Sequence, residues 1–270
     1  MTDTSAWRLE LNGEPARVED LRPLIQTNYG HFSAMQVRGG GIRGLDLHLD
    51  RIADATRELF GVGIDRAFVR ACLCRAIGGR DAPLSLRINV FSRALNRERP
   101  ADAAPADVLV TAGPASAGNA APLRVKSFAY AREMPSVKHV GTFPLFHYRR
   151  LAQQAGCDDA VFVDAAGCIS EGSIWNIGFH DGDAVVWPDA AQLAGVSMRL
   201  LQAGLAAAGV RSTTRPVARA EVGRYRFAFF TNTSAPVRPL ASIDEFDFEA
   251  DPALERMLAA AHDANPLQYP

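Results

Sequence analysis

The sequence lacks the features that direct a protein to a nucleic acid or to a membrane. Its formal net charge is −1 and it contains no block of like charge, so nothing favours a nucleic acid or an anionic membrane surface as a partner. Its first residues have neither the basic start nor the apolar run of a signal peptide, and no apolar stretch is long enough to span a bilayer. We therefore expect a soluble, cytoplasmic protein.

Cysteine is scarce, and its spacing argues against a metal site. Of the four cysteines, only Cys72 and Cys74 lie close together, and no second pair completes a zinc site. Both fall in a helical pattern, where side chains two residues apart point in different directions. The six histidines have no metal-binding spacing either, so we expect no metal.

The chain does have enough apolar residues for a sizeable core. Its 270 residues are 48% hydrophobic, which suits one large domain or two moderate ones. Residues 112–122 are small residues, glycine and proline without periodicity, and are the best candidate for a linker. We predict an α+β chain in two lobes, a small N-terminal α/β lobe (1–111) and a larger C-terminal lobe (123–270).

Local patterns predict the elements of both lobes. Alternating residues followed by Asn12-Gly13 predict a hairpin near the N-terminus. Apolar and alternating runs predict strands at 34–38, 84–91, 108–111, 123–128 and 160–163. Helical spacing predicts helices at 47–59, 65–77, 146–155, 197–208 and 252–261. Asp65 is the expected N-cap of the second of these helices.

Two charged residues stand at the edges of predicted elements. Lys138 ends the segment Arg-Glu-Met-Pro-Ser-Val-Lys, and Glu171 opens the segment Glu-Gly-Ser-Ile-Trp-Asn-Ile. An amine that forms a Schiff base with an aldehyde, and a carboxylate that keeps a pyridine nitrogen protonated, suit pyridoxal phosphate chemistry. Taken alone, such a pair is more often two solvated surface residues.

Two further segments suit a phosphate group. Arg51 lies on a predicted helix face, and its planar fork matches phosphate geometry. Gly195 and Ser197 precede a predicted helix whose free N–H groups favour an anion. In isolation, each has an ordinary explanation: a surface arginine and a plain N-cap.

These segments occur in an order, from Asn28-Tyr29-Gly30 to Arg238-Pro239-Leu240, that resembles the class IV (fold type IV) pyridoxal-phosphate-dependent aminotransferases. That family includes branched-chain and D-amino acid aminotransferases and aminodeoxychorismate lyase. The resemblance implies a two-lobed fold like that of D-amino acid aminotransferase, with the larger lobe binding cofactor, and a homodimer. It implies an enzyme that exchanges an amino group between an amino acid and a 2-keto acid through a Schiff base on Lys138.

The resemblance also assigns roles to individual residues. Lys138 is the catalytic lysine, Glu171 pairs with the pyridine nitrogen of pyridoxal 5′-phosphate, and Asn176 is structural. Lys126 lacks the Pro-x-x-Lys context and falls on the polar face of its predicted strand. The resemblance implies that the following residues bind the cofactor phosphate: Arg51, Val196, Ser197, Thr233 and Ser234.

Substrate recognition is expected on the small lobe. By resemblance, Tyr29 and Arg38 line the substrate side, where Arg38 is suited to receive a carboxylate. Arg97 and Arg99 lie in a polar loop and are candidates for closing over an acidic group. A loop arginine is more often only solvated.

Two departures from the family pattern leave the substrate open. Many members have a tyrosine five residues after the lysine, where this chain has Phe143, which cannot donate a hydrogen bond. Ser33 follows Phe32 where the family often has an acid or a threonine. Two alternatives to transamination therefore remain: a lyase that releases pyruvate from aminodeoxychorismate, and a non-catalytic relative that binds cofactor without turnover.

Overall fold

The structure is a computed structural model that describes residues 7–80, 82–115 and 121–270. The chain divides into two compact units. Unit 1 comprises Met1–Ala117, Val137–Gly141 and Pro266–Pro270, and unit 2 comprises Gly118–Ser136 and Thr142–Asn265. Each unit is therefore built from separate stretches of the chain, and Lys138 belongs to unit 1.

The elements of the described residues are as follows. The helices are α1 Val18–Thr27, α2 Leu45–Phe60, α3 Arg66–Ile77, α4 Phe143–Gln154, α5 Val196–Ala207 and α6 Pro252–Asp263, with a 3₁₀ helix at Arg219–Arg224. The strands are β1 Arg8–Leu11, β2 Glu14–Pro15, β3 His31–Arg38, β4 Gly41–Arg43, β5 Leu84–Phe91, β6 Asp107–Pro114, β7 Leu123–Ala129, β8 Asp159–Val163, β9 Ile169–Gly172, β10 Asn176–His180, β11 Val185–Pro188, β12 Ser212–Arg215, β13 Phe227–Thr231, β14 Arg238–Ile243, β15 Phe246–Asp247 and β16 Leu267–Gln268. Among these residues, no helix combines the length and the apolar character needed to cross a bilayer.

The predicted linker overlaps regular structure at its start. β6 continues to Pro114, so the first three residues of the predicted stretch 112–122 pair in the sheet rather than connecting lobes. Residues 116–120 of that stretch lie outside the described residues. The limits of the two lobes, 1–111 and 123–270, remain a prediction.

Unit 1 contains an antiparallel sheet with α2 and α3 packed on one face, whereas α1 packs against Leu11, Phe91 and Leu109 on the other face. Its strand order is β16-β4-β3-β5-β6-β1-β2. Alternate side chains of a strand point to opposite faces of a sheet, so Met35 and Val37 of β3 meet Leu49 of α2 in the buried core. Ser33 shares the phase of Met35 and Val37 along β3 and therefore faces the helices.

Short-range signals in unit 1 form as predicted. Asn12 and Gly13 both have positive φ, 52° and 86°, as the tight turn between β1 and β2 requires. The Asp65 carboxylate caps α3 by accepting a bond from the Ala67 amide at 2.8 Å. A β-branched or bulky residue at Gly13 would be strained.

Unit 2 is built around a ring of strands. Neighbouring strands follow the order β12-β11-β10-β13-β14-β7-β8-β9, and β9 also pairs with β10. That last pairing closes six strands into a ring, from β10 through β13, β14, β7, β8 and β9. Apolar side chains such as Val161, Ile177 and Phe230 form its core. α4 packs on β8 through Leu145 and Ala152.

One row across this ring is polar. Asn176 of β10 lies opposite Glu171 of β9 on one side and opposite Thr231 of β13 on the other. All three residues are buried. Three buried polar residues in adjacent register require hydrogen-bond partners or a ligand, so this row is a candidate site in unit 2.

Candidate functional site

Lys138 is held by backbone bonds against the start of β3. The Phe32 amide donates to the Lys138 carbonyl at 2.8 Å, and the Val140 amide donates to the Gly30 carbonyl at 2.9 Å. The preceding residue, Val137, is buried in the core of unit 1. Lys138 itself is half-buried, and these bonds fix its backbone against β3.

The Phe32 ring lies close to two cations. The Lys138 Nζ atom is 5.0 Å from the ring centroid, and the Arg87 Cζ atom is 3.6 Å from it. Arg87 Nε donates to Asn89 Oδ1 at 3.0 Å, and burial lowers the pKa of Arg87. Arg87 is not among the predicted site residues. Its signal in the sequence is that it is the only charged residue of the apolar strand 84–91.

Arg51 contacts two buried polar residues, Ser33 of β3 and His48 of α2. Its Nη2 donates to Ser33 Oγ at 2.6 Å and lies 3.4 Å from His48 Nδ1. Ser33 Oγ is 2.7 Å from the same His48 nitrogen. Burial, followed by the charges of Arg51 and Lys138, lowers the pKa of His48 well below its ordinary value. His48 is therefore neutral, and the local positive charge comes from Arg51 and Lys138.

Glu171, in unit 2, is paired with an arginine from its own unit. Arg132 Nε donates to Glu171 Oε1 at 2.8 Å, and the two side chains are only 2% and 4% exposed. The pairing engages one carboxylate oxygen with a charged donor. Arg132 is not among the predicted site residues, although it begins the segment that ends at Lys138.

The turn after Glu171 is anchored by one carboxylate. Asp159 accepts two bonds from Arg149, at 3.0 and 2.7 Å. It also accepts bonds from Ser173 Oγ at 2.6 Å and from Trp175 Nε1 at 2.9 Å. Charge-assisted, bidentate bonds of this type are short and strong. Asp159 therefore fixes the turn that begins at Glu171.

Asn176 fixes the turn before α5. Its Nδ2 donates to the Leu193 carbonyl at 2.7 Å and to Gln192 Oε1 at 2.9 Å. A Cβ atom added at Gly195 would lie 2.0 Å from Asn176 Oδ1, so this position has no room for a side chain. α5 begins at Val196, immediately after this glycine. The structural role predicted for Asn176 thus has a geometric basis.

Two buried hydroxyls, one in α5 and one in β13, have no hydrogen-bond partner among the described residues. Ser197 Oγ, in the first turn of α5, and Thr231 Oγ1, opposite Asn176, form no hydrogen bond with any described residue. Buried hydroxyls are normally satisfied. Together with the free amides at the start of α5, they form a donor set that fits a phosphate group. Thr231 is not among the residues to which the resemblance assigns a phosphate role, although it lies two residues before Thr233.

The other predicted phosphate residues are less enclosed. Thr233 is half-buried and Ser234 is exposed. The Ser234 amide donates to Asn232 Oδ1 at 3.0 Å, so this amide already has a partner. The Ser234 hydroxyl is the group that stays available for an anion.

The predicted substrate residues occupy different environments in unit 1. The Tyr29 hydroxyl donates to the Leu59 carbonyl at 3.1 Å, and its ring packs edge-on against Phe60. Arg38 is exposed and donates to the Val37 carbonyl at 3.0 Å. Arg97 is also exposed.

Phe143, where many relatives have a tyrosine, is the first residue of α4 and is 76% exposed. Its ring stacks on His147, with centroids 5.6 Å apart and planes at 11°. Within 7–80, 82–115 and 121–270, no group of three or more His, Cys, Asp or Glu residues is placed to hold a metal ion.

Comparison with known proteins identifies the family. The sequence model of the family 'Amino-transferase class IV' matches residues 30–243 of this chain. None of the curated proteins compared matches the sequence.

Three of the similar solved structures show how far the fold is shared. A branched-chain aminotransferase from the thermophilic archaeon Thermoproteus uzoniensis with norvaline has a TM-score of 0.82 at 17% identity, covering 94% of this chain and 93% of that one. A hypothetical aminotransferase from Mycobacterium tuberculosis in its PLP-bound form has 0.80 at 16% identity, covering 96% and 98%. The fold IV-transaminase CpuTA1 from Curtobacterium pusillum has 0.77 at 21% identity, covering 94% and 92%. The predicted fold type is confirmed, and the chain belongs to the class IV aminotransferase family.

Proposed function

We propose that this protein exchanges an amino group between an amino acid and a 2-keto acid, with pyridoxal 5′-phosphate as cofactor. Family membership supports aminotransferase activity, and the Mycobacterium tuberculosis relative of the same fold is described both with this cofactor and with its amine form. The observation that carries the proposal is that two buried hydroxyls have no hydrogen-bond partner among the described residues. They belong to Ser197, in the first turn of α5, and to Thr231, opposite Asn176. A phosphate group would satisfy both.

The family resemblance assigns the cofactor ligands. Lys138 would supply the amine for the cofactor aldehyde and Arg51 a charged donor for the phosphate. Glu171 is assigned to the pyridine nitrogen. The remaining phosphate donors are the start of α5 and nearby hydroxyls: Val196, Ser197, Thr231, Thr233 and Ser234. When bound, the cofactor supplies an aldehyde that accepts the amino group and a ring that accepts electrons.

Lys138 and Glu171 then handle protons at two separate places. Lys138 Nζ takes the proton from the substrate Cα and returns it later, a task for a primary amine within reach of the reacting carbon. Glu171 would hold a proton at the ring nitrogen of the bound cofactor. Because Arg132 fixes one carboxylate oxygen, the carboxylate is oriented before the cofactor arrives.

Arg87 is the best placed residue of unit 1 for a substrate carboxylate. It is a partly buried cation that forms no ion pair with a described residue, and it contacts the same Phe32 ring that lies near the Lys138 amine. A buried cation without a counter-charge favours an anionic ligand. Tyr29, Arg38 and Arg97 remain predictions for the substrate side. We also propose that the protein is cytoplasmic and, from the family resemblance, that it is a homodimer.

The experiment is to load the purified protein with pyridoxal 5′-phosphate and reduce it with borohydride. Lys126 and Lys138 are the only lysines in the chain, so peptide mapping distinguishes the two sites directly. We expect label on Lys138, its loss in Lys138→Ala, and full labelling in the matched control Lys126→Ala. Label on Lys126, or none on either lysine, would contradict the proposal.

The reaction is then tested with a panel of L- and D-amino acids and a keto acid acceptor. Transamination releases one keto acid per donor consumed and converts the visible absorption of the bound cofactor. Pyruvate released from aminodeoxychorismate without any acceptor would establish the lyase instead. Cofactor bound at Lys138 with no turnover of any donor would indicate the non-catalytic relative.

A further inference from the structure

A single hydroxyl connects the phosphate arginine to a buried histidine. Ser33 Oγ lies 2.6 Å from Arg51 Nη2 and 2.7 Å from His48 Nδ1. Ser33 is 0% and His48 1% exposed. Ser33 comes from β3, whereas His48 and Arg51 lie three residues apart on α2 and so share a face of that helix.

Only one arrangement of hydrogens satisfies these contacts. A guanidinium group donates and never accepts, so Ser33 Oγ accepts from Arg51. Arg51 Nη2 also lies 3.4 Å from His48 Nδ1, so this nitrogen is an acceptor, the single hydrogen of Ser33 is directed to it, and the histidine proton is on Nε2. Since His48 is neutral, the serine and the histidine orient the arginine without adding charge next to it.

Ser33, His48 and Arg51 form a polar cluster next to apolar core residues. Along β3, the residues in phase with Ser33 are Met35 and Val37, which are part of the apolar core. A buried polar network that serves only packing is normally replaceable by apolar residues of similar size. His48 Nε2 also lacks a partner among the described residues, so the fold leaves one donor unsatisfied while keeping the Ser33 bond.

We propose that Ser33 is a positioning residue that holds the Arg51 guanidinium in the orientation that receives the cofactor phosphate, and that His48 orients the Ser33 hydroxyl for this task. Ser33 contacts neither the substrate nor the reacting atoms in this role. The proposal rests on the proposed function, because it requires that Arg51 binds the phosphate of pyridoxal 5′-phosphate.

The test compares two ligands that differ only in the phosphate. Apoprotein is titrated with pyridoxal 5′-phosphate and with pyridoxal, for the wild type and for Ser33→Ala. Loss of one bond to a charged group predicts binding of pyridoxal 5′-phosphate weaker by about tenfold to a hundredfold. Binding of pyridoxal should change by less than about twofold, since no phosphate contact is involved.

Two further variants control for damage to the sheet. Ser33→Thr keeps a hydroxyl and should restore affinity for pyridoxal 5′-phosphate. Ser85→Ala removes a hydroxyl that bonds Gln36 on the neighbouring strand of the same sheet, and should leave both affinities unchanged. Thermal melting of each apoprotein checks that it is folded.

The possible outcomes separate this inference from the proposed function. A wild type that does not prefer pyridoxal 5′-phosphate over pyridoxal would overturn both. A wild type with that preference, and a Ser33→Ala variant that retains it, would overturn only the role of Ser33. Equal weakening of both ligands would also overturn it, because a purely structural role predicts that pattern.

Discussion

Arg132 and Glu171 form an ion pair that is almost completely removed from water, with Nε 2.8 Å from Oε1 and side-chain exposures of 2% and 4%. Burying two charges is costly, and their attraction offsets the cost only while both are present. Without Arg132, the Glu171 carboxylate would therefore be buried with no counter-charge. The role proposed for Glu171, holding a proton on a cofactor ring, requires one orientation of its carboxylate, and Arg132 provides it.

The first prediction concerns the loss of that arginine. Arg132→Met should lower the free energy of unfolding of the apoprotein by about 3–5 kcal/mol, because Glu171 is left buried without its counter-charge. Urea denaturation measures this loss. The matched control is Arg57→Met, which breaks a pair with Asp54 whose side chains are 65% and 75% exposed, and should cost about 0–1 kcal/mol.

A double variant makes the argument about Arg132 sharper. Arg132→Met combined with Glu171→Leu removes both charges, and should recover most of the stability lost in Arg132→Met alone. If the double variant were no more stable than the single one, the loss would come from packing around Arg132 and not from the unpaired carboxylate.

Sequence motifs predict Glu171 but not Arg132, for a physical reason. Arg132 stands six residues before Lys138 in the chain, yet the two belong to different units. Its partner Glu171 is 39 residues away. Contacts of that kind depend on the path of the chain, and no local spacing encodes them. Local spacing does not predict Thr231 either, because its position opposite Asn176 comes from the pairing of β10 with β13.

Elements with strong local signals agree with their predictions. The strand 84–91 and the cap at Asp65 are found where the sequence places them. The sequence does not predict α1, because Pro23 falls inside it and proline normally ends or kinks a helix. β3 begins at His31, earlier than the predicted strand 34–38, because its first residues pair with the segment of Lys138 as well as with β5.

The second prediction concerns the turn before α5. In Gly195→Ala, the new Cβ would lie 2.0 Å from Asn176 Oδ1, so either Asn176 or the start of α5 must move. We expect a loss of about 1–3 kcal/mol in unfolding free energy and weaker binding of pyridoxal 5′-phosphate, measured by denaturation and by titration.

The control for this turn is Gly63→Ala. A Cβ atom at Gly63 would meet no heavy atom within 4 Å, and glycine-to-alanine changes at unstrained positions are neutral or stabilise by about 0.4–1 kcal/mol. Equal behaviour of the two variants would show that Asn176 does not constrain Gly195.

The third prediction concerns pH. Burial, followed by the charge of Arg51, lowers the pKa of His31 to about 4. The Thr56 hydroxyl donates to the Ile52 carbonyl, so it accepts a bond from His31 Nε2, 3.0 Å away. In the unfolded chain, a histidine titrates near pH 6.5. Between these values the unfolded state binds more protons, so stability is full above about pH 6.5 and falls as the pH approaches 4.

The size of this effect follows from the shift. His31 alone should account for about 3 kcal/mol of lost stability between pH 7 and pH 4. His31→Gln removes the titrating group and should make the dependence of unfolding free energy on pH shallower. Some dependence remains, since the pKa of His48 is shifted in the same direction. Parallel curves for the wild type and His31→Gln, measured by urea denaturation at several pH values, would contradict the assignment.

The last prediction separates a binding role from a structural one by the sign of two effects. The Ser197 hydroxyl is buried without a partner among the described residues, and an unsatisfied buried hydroxyl costs about 1–3 kcal/mol. Ser197→Ala should therefore leave the apoprotein as stable as the wild type or more stable. The same change removes a donor to the proposed phosphate, so binding of pyridoxal 5′-phosphate should weaken.

The control is a buried serine whose hydroxyl is satisfied. Ser92 is 3% exposed, and its Oγ accepts a bond from the Ala94 amide at 3.2 Å. Ser92→Ala should lower apoprotein stability by about 0.5–1.5 kcal/mol and leave cofactor affinity unchanged. Ser197→Ala should thus lower cofactor affinity and not stability, whereas Ser92→Ala should lower stability and not cofactor affinity. A Ser197→Ala variant that lost apoprotein stability and kept its affinity would show that this hydroxyl supports the fold and does not bind phosphate.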